Sequence, residues 1–318
     1  MQRELWEILR CPRCKSRISA PGHVSEPRSL RCTNHACALS GSDFLTVQDV
    51  PVLIDFSTSV TKEEDFTIRK GESSVGRSAG LLRKLGGFVL RPHYAPTETN
   101  AANFLAEVKS LTGRPNILVV GGGEIGNHAR PLYNDDSLNL LGSDIYYSPH
   151  IDIIADGHAL PISDASLHGV WIQAVLEHVL DPVKVVSEIH RVLVDGGIVY
   201  AETPFMEAVH EGPYDFTRFS LSGHRWLFRA FEEIRSGCAG GPGTVLIWSI
   251  RYFVGALFRS YRVGTLAAMM FFWLSYLDKL VSKRHTVDSP KATYFLGRRS
   301  NGSIDASTII SYYHGAQI

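Results

Sequence analysis

The chain has 318 residues, 44% of them apolar and 20% charged, with 32 basic side chains against 32 acidic ones. That composition supports one full α/β domain plus something smaller, and zero formal charge leaves no chain-wide electrostatic footprint for nucleic acid. The first 30 residues include Arg3, Glu4, Glu7, Arg10 and Arg13 and no apolar run of signal-peptide length, so an intracellular, cytoplasmic setting is expected.

Five cysteines are too few for a disulfide scaffold, and four of them crowd into the first 40 residues. Cys11-Pro12-Arg13-Cys14 and Cys32-Thr33-Asn34-His35-Ala36-Cys37 form two close pairs 17 residues apart. Tetrahedral zinc needs four such ligands converging at about 2.3 Å, and two short cysteine turns supply them where the chain is too small to fold on a core alone. Cys11, Cys14, Cys32 and Cys37 are therefore the expected metal ligands, with His35 able to replace one thiolate. A closed site of four thiolates leaves no open position for a substrate, which points to a structural role. Pro51-Val52-Leu53-Ile54 then reads as a short strand. Leu5, Ile8, Leu9, Cys11, Pro12 and Cys14, followed by Asp49, Val50, Pro51, Val52 and Leu53, resemble the small zinc-ribbon family, with the acid one place nearer the proline than in that family. Some stand-alone members of that family are partners of methyltransferases, so the resemblance implies a structural or protein-docking role for residues 1–56.

Residues 57–99 show no sustained period and read as a linker or cover segment. From Asn100 the pattern is regular: Phe104, Leu105, Val108 and Leu111 share one helical face and Gly113 stops it. The run Asn116 to Val120 reads as a buried parallel strand, and Leu138–Leu141, Ile151–Ala155, Val170–Ala174 and Ile198–Ala201 suit the same sheet. Between the last two, Val183, Val186, Ile189, His190 and Leu193 lie on one face of a helix. Strands alternating with helices predict a doubly wound, mostly parallel, Rossmann-like α/β domain over residues 100–318. Residues 238–290 interrupt it as an apolar helical insertion, after which Thr293–Gly297 returns as an edge or hairpin strand.

Gly121-Gly122-Gly123-Glu124-Ile125-Gly126 follows the first of these strands in the context where backbone amides and a helix start receive a cofactor. Its spacing fits a dinucleotide fingerprint, with Asp144 about 20 residues on, so a nicotinamide oxidoreductase is one reading. The residues after Asp144 favour another. Asp156-Gly157-His158-Ala159-Leu160-Pro161, then Leu176-Glu177-His178-Val179, then Glu188-Ile189-His190-Arg191-Val192-Leu193-Val194-Asp195-Gly196-Gly197 together resemble the class I S-adenosylmethionine-dependent methyltransferases over residues 116–202. That resemblance implies that Asp144 takes the ribose hydroxyls and that Gly121, Gly123 and Gly126 let the backbone approach the cofactor. It gives Asp156, Gly157 and His158 the adenine, and Gln173 to Glu177 the methionine side. Two positions depart from the family. Val119 stands where an acid usually orients the methionine amine, and Leu167-His168-Gly169-Val170 replaces Phe-Asp-x-Val. The Val119 departure keeps a third reading in view, a non-catalytic zinc-ribbon adaptor that retains the fold for docking.

After the fifth strand, Val209-His210-Glu211-Gly212-Pro213-Tyr214-Asp215-Phe216-Thr217-Arg218 is dense in ionisable and aromatic groups, where open α/β sheets hold ligands. It resembles the loop of methyltransferases of cell-envelope and lipid-linked glycan pathways, which implies a small-molecule or lipid-linked acceptor. Methyl transfer needs alignment first, and a base only for a hydroxyl or an acidic carbon. His210 is the first candidate base, Asp215 its orienting partner or a simple ion-pair partner of Arg218, and His178 a further candidate. Val263 to Leu277 holds 15 residues without a charge, short of the roughly 20 that a spanning helix needs. Six basic residues against one acid in 245–285 suit contact with a membrane surface, while a helical pair packed on the domain or on a second copy is the plainer reading.

Overall fold

The computed structural model describes residues 3–19, 30–68, 96–126 and 129–317. Most of the expected linker, 69–95, lies outside them. At the N-terminus, α1 (Arg3–Glu7) precedes a two-stranded ribbon, β1 (Ile18–Ser19) with β2 (Arg31–Cys32), followed by β3 (Thr46–Val47), β4 (Val50–Leu53) and α2 (Glu63–Thr67). The alternating region comprises α3 (Thr97–Leu111), β5 (Asn116–Val120), α4 (Arg130–Tyr133), β6 (Asn139–Asp144), β7 (Ile153–Ala155), β8 (Leu167–Gln173), α5 (Pro182–Val192) and β9 (Leu193–Pro204). The C-terminal part adds α6 (Leu221–Leu227), β10 (Phe231–Ala239), α7 (Pro242–Leu257), α8 (Tyr261–Met270), α9 (Leu274–Leu277), α10 (Lys283–Asp288), β11 (Ala292–Arg299) and α11 (Ala306–Ser311).

Among the described residues the main sheet runs β10-β11-β9-β8-β5-β6-β7-β4-β3. Strands β9, β8, β5, β6, β7 and β4 are parallel neighbours, and β11 inserts antiparallel between β9 and β10. This is the expected doubly wound, mostly parallel sheet, the Rossmann-like fold of class I methyltransferases. Central β5 is buried from Ile117 to Val120, as a strand covered on both faces must be. Helix α5 starts where Asp181 accepts the Lys184 backbone N–H and Pro182 fills the first turn; it buries Val185, Val186, Ile189 and Val192. His168, at the altered family position, accepts the backbone N–H of Asn116 at 3.0 Å and so joins β8 to the start of β5.

Three local expectations shift. Helix α3 begins at Thr97, because polar Thr97 and Asn100 are buried on β9, where the Thr97 hydroxyl donates to Glu202 at 2.7 Å; an apolar pattern cannot show that turn. Strand β10 carries Glu232, Glu233 and Arg235 on a sheet edge, so its charges masked it and the helical insertion starts only after Ala239. Among the described residues, the helix expected to open at the glycine-rich loop is α4, which starts at Arg130 and has four residues.

The cysteine-bearing segment is joined to the sheet. Val52 and Leu53 of β4 pair in parallel with Ile154 and Ala155 of β7. Leu9 bridges Ile162, the Arg10 N–H donates to Pro161 O at 2.8 Å, and Ser163 N–H donates to Ile8 O at 2.9 Å. Leu5 and Leu9 are buried in the same cluster as Ile153, Leu160 and Ile162, at a gain of roughly 2 kcal/mol each. Helices α7 and α8 form a hairpin in close approach: a Cβ at Gly264 would meet Arg251 O at 2.2 Å. None of the described helices is long and apolar enough to cross a membrane.

Candidate functional site

The C-terminal ends of β5, β6, β7, β8 and β9 carry nearly every residue that the sequence singled out. Gly121 turns the chain out of β5 at φ +78°, a conformation only glycine adopts freely, and a Cβ there would lie 2.2 Å from Val175 Cγ2. The Gly123 N–H donates to Asp144 Oδ2 at 2.9 Å, and a Cβ on Gly123 would meet the same oxygen at 2.6 Å. Asp144 Oδ1 accepts from Tyr146 N–H at 3.2 Å, which fixes the carboxylate at the end of β6. The glycine-rich turn and its acid are thus adjacent on neighbouring parallel strands. Gly126 is exposed at the far end of the turn, near Gln173. Gln173 donates to Glu202 Oε1 at 3.2 Å, and Glu202 also accepts from Thr97 and Tyr200.

Asp156 lies just past β7 and is buried. Its Oδ1 accepts from the His158 backbone N–H at 2.9 Å and sits 2.6 Å from His158 Nδ1, while Oδ2 accepts the Ser59 hydroxyl at 2.6 Å. Burial alone would raise its pKa, but the His158 and Ser59 hydrogen bonds together outweigh it and lower it. Asp156 therefore ties residues 57–61 to the rim of the sheet and orients His158, whose Nε2 accepts from Asp181 N–H at 3.1 Å. Ser59 carried no sequence signal, since a serine in a patternless stretch is ordinary.

Beside these lies a second cluster. Glu177, in the short 3₁₀ turn 176–178, has 0% exposure, and neither carboxylate oxygen has a hydrogen-bond partner. Burial pushes its carboxyl up to about 8. His178 Nε2 is 3.5 Å and His210 Nε2 3.8 Å from Glu177 Oε1. The two imidazoles meet edge to face with centroids 4.8 Å apart. His178 Nδ1 lies 2.7 Å from Tyr214 O, and burial lowers the pKa of this ring. The 205–219 segment folds over Glu177: Phe216 and Thr217 N–H groups donate to its backbone carbonyl at 2.8 and 3.2 Å. Asp215 holds that segment. It accepts from both terminal nitrogens of Arg218 and from the His210 backbone N–H at 2.9 Å, and its Oδ2 lies 3.3 Å from His210 Nδ1. Burial would raise the Asp215 carboxyl; the Arg218 guanidinium and the His210 N–H outweigh it and bring it to about 2. Asp215 is thus both an ion-pair partner of Arg218 and a neighbour of the His210 ring.

At the N-terminus the Sγ atoms of Cys11, Cys14, Cys32 and Cys37 all lie within 4.8 Å of one another, with no disulfide among them. Cys11 to Cys37 is 3.9 Å and Cys14 to Cys32 is 3.4 Å, close to the ~3.8 Å edge of a tetrahedron with about 2.3 Å zinc–sulfur bonds. The donor set is compatible with zinc, and exposed His35 is not part of it.

No curated protein matches the chain. Similar solved structures include a Galdieria sulphuraria protein proposed to be a sarcosine dimethylglycine methyltransferase, at 16% identity and a TM-score of 0.44, covering 64% of this chain and 86% of that one. The cyclase SpnF is similar at 16% identity and 0.40, over 64% and 81% of the two chains. Phosphoethanolamine N-methyltransferase 2 of Haemonchus contortus, in complex with S-adenosyl-L-methionine, is similar at 16% and 0.39, over 63% of this chain but only 53% of that one. The family model of the methyltransferase domain matches residues 123–201, the stretch that bears Asp144, Asp156, Gln173, Glu177 and His178.

Proposed function

We propose that the protein is an S-adenosyl-L-methionine-dependent methyltransferase that acts on a small-molecule or lipid-linked acceptor at a membrane surface, with a structural zinc ion in its N-terminal ribbon. The observation that carries the cofactor reading is the Gly123–Asp144 pair at the ends of β5 and β6, inside the segment matched by the methyltransferase-domain model. A Cβ at Gly123 would meet Asp144 Oδ2 at 2.6 Å, so glycine is what lets the turn lie directly against that carboxylate. Asp144 would bind ribose hydroxyls, the backbone at Gly121 and Gly123 would face the cofactor, and His158 with Gly157 would frame the adenine. Gln173 and the 174–177 turn would hold the methionine side. When bound, the cofactor supplies an electrophilic methyl group on a sulfonium.

The partner reading rests on the α7–α8 hairpin and the segment after it. Phe253, Tyr261, Met270 and Leu280 are 69%, 73%, 74% and 83% exposed. Asp278, the single acid of 245–285, is buried, accepting the N–H groups of Gly241, Gly243 and Thr244 at the start of α7. Every exposed charge of this region is therefore basic, Arg259, Arg262, Lys279, Lys283 and Arg284, which is complementary to anionic lipid headgroups.

The cofactor reading is tested by thermal stability with S-adenosylhomocysteine and with NADH. At about 100 times Kd a ligand stabilises by about 2.7 kcal/mol, a shift of several degrees. S-adenosylhomocysteine is expected to give that shift and NADH none. A shift with NADH alone would make the chain an oxidoreductase, and none with either would leave a docking adaptor.

A further inference from the structure

Glu177 poses an energetic problem that its surroundings as described do not solve. It has no exposed surface and no hydrogen bond to either oxygen, although leaving a buried carboxyl group unpaired costs several kcal/mol. Two imidazole nitrogens lie 3.5 and 3.8 Å from its Oε1, too far for hydrogen bonds. Those separations match the ~3.4 Å between two nitrogen or oxygen ligands that each lie about 2.1 Å from one tetrahedral ion.

The two histidines are set for the same task. His178 Nδ1 is held by the Tyr214 carbonyl at 2.7 Å, and His210 Nδ1 lies 3.3 Å from Asp215 Oδ2 and 3.4 Å from Ala208 O. An acceptor on Nδ1 keeps the proton there and leaves the Nε2 lone pair free, as in metal sites whose histidines lean on a carbonyl or a carboxylate. Both free nitrogens turn toward Glu177, and the three ligand atoms lie within 4.8 Å of one another. Asp215 is in turn locked by Arg218, so the support extends one layer further.

We propose that Glu177 Oε1, His178 Nε2 and His210 Nε2 form a binding site for a divalent first-row transition cation, distinct from the four-cysteine site. Two imidazoles and one carboxylate leave coordination positions open, and the site faces the loop after β9. Resting on the methyltransferase reading, this deepens it: a cation there favours an acceptor that presents oxygen, a hydroxyl or enol, whose pKa a Lewis acid lowers.

Manganese separates this site from the ribbon, because thiolates are poor ligands for it. Full-length protein with its ribbon zinc-loaded is titrated with Mn(II), and the free ion is read by electron paramagnetic resonance. One Mn(II) per chain is expected, with affinity falling at least tenfold in Glu177→Gln and in His210→Ala. Glu177→Gln is nearly isosteric and His210 is on a surface loop, so neither change should unfold the chain. The metal-free Glu177→Gln protein is expected to melt no lower than the parent, since a nearly isosteric amide that cannot ionise replaces the unpaired buried carboxyl. No Mn(II) bound, or equal binding by parent and both variants, overturns the site. Binding of S-adenosylhomocysteine is measured on the same samples: if it is absent while Mn(II) titrates as described, the methyltransferase reading fails and the cation site stands.

Discussion

Burial acts on Glu177 and on His224 in opposite senses because each resists taking charge out of water. His224, on α6, lies between the hydroxyls of Thr203 and Thr293 at 3.2 and 3.3 Å, and burial pushes its pKa down to about 3. The native ring therefore stays neutral where the unfolded chain, with an ordinary value of 6.5, takes up a proton. Stability is intact above pH 6.5 and falls as the pH drops from there toward 3, by about 2 kcal/mol at pH 5 from this residue alone. His224→Gln keeps polar contacts and cannot protonate, so urea unfolding at pH 7 and pH 5 should show a difference about 2 kcal/mol smaller than in the parent. An identical pH difference in both proteins would show that His224 is not the sensor. At this scale the sequence marked Asp144, Asp156, Glu177 and His178 by motif. It did not mark Ser59 or the isolation of Glu177, because both depend on chain distant in sequence folding over the sheet end.

Among the elements, the α7–α8 hairpin departs furthest from the packing of a soluble core. Its interior is small, with Ile247 and Ala268 as buried centre and Gly255 against Gly264 at the crossing, so most of its large side chains remain outside. The proposed lipid contact predicts that full-length protein floats with phosphatidylglycerol liposomes at low salt and is released as salt rises, since about 1 kcal/mol per basic residue is screened within a Debye length. Phe253→Asp with Met270→Asp, both at exposed positions, should abolish flotation without lowering the melting temperature. Protein that stays wholly in the soluble fraction at low salt rules the contact out. The apolar run and its basic flanks were legible from residue order. Which side chains face outward was not, because a 3.6-residue period cannot rank two faces that are both apolar.

For the whole molecule, the cysteine segment and the α/β domain share one sheet. β4 extends it beyond β7, α1 contributes Leu5 to its core, and Asp55 pairs with Arg13 at 2.7 Å while Ser59 binds Asp156. Removing a metal from the four thiolates should therefore loosen the rim that carries Asp156. Chelation of the zinc-loaded protein is expected to lower its melting temperature in one cooperative transition, followed together by far-UV and near-UV circular dichroism. Two separated transitions would mean that the ribbon unfolds independently of the sheet.

Residue order alone determined the alternating strands and helices, the glycine turn with Asp144 after it, the two cysteine pairs and the apolar C-terminal stretch. These are signals of short range: burial on a strand or helix repeats every few residues, and metal or turn chemistry needs fixed local spacings. Tertiary structure alone decided that β4 joins the main sheet, that charged β10 is a strand, and that Glu177 meets His210 from across the site. Those contacts join residues far apart in the chain, and they depend on the path of the loop after β9, which the Asp215–Arg218 pair fixes and no periodicity records.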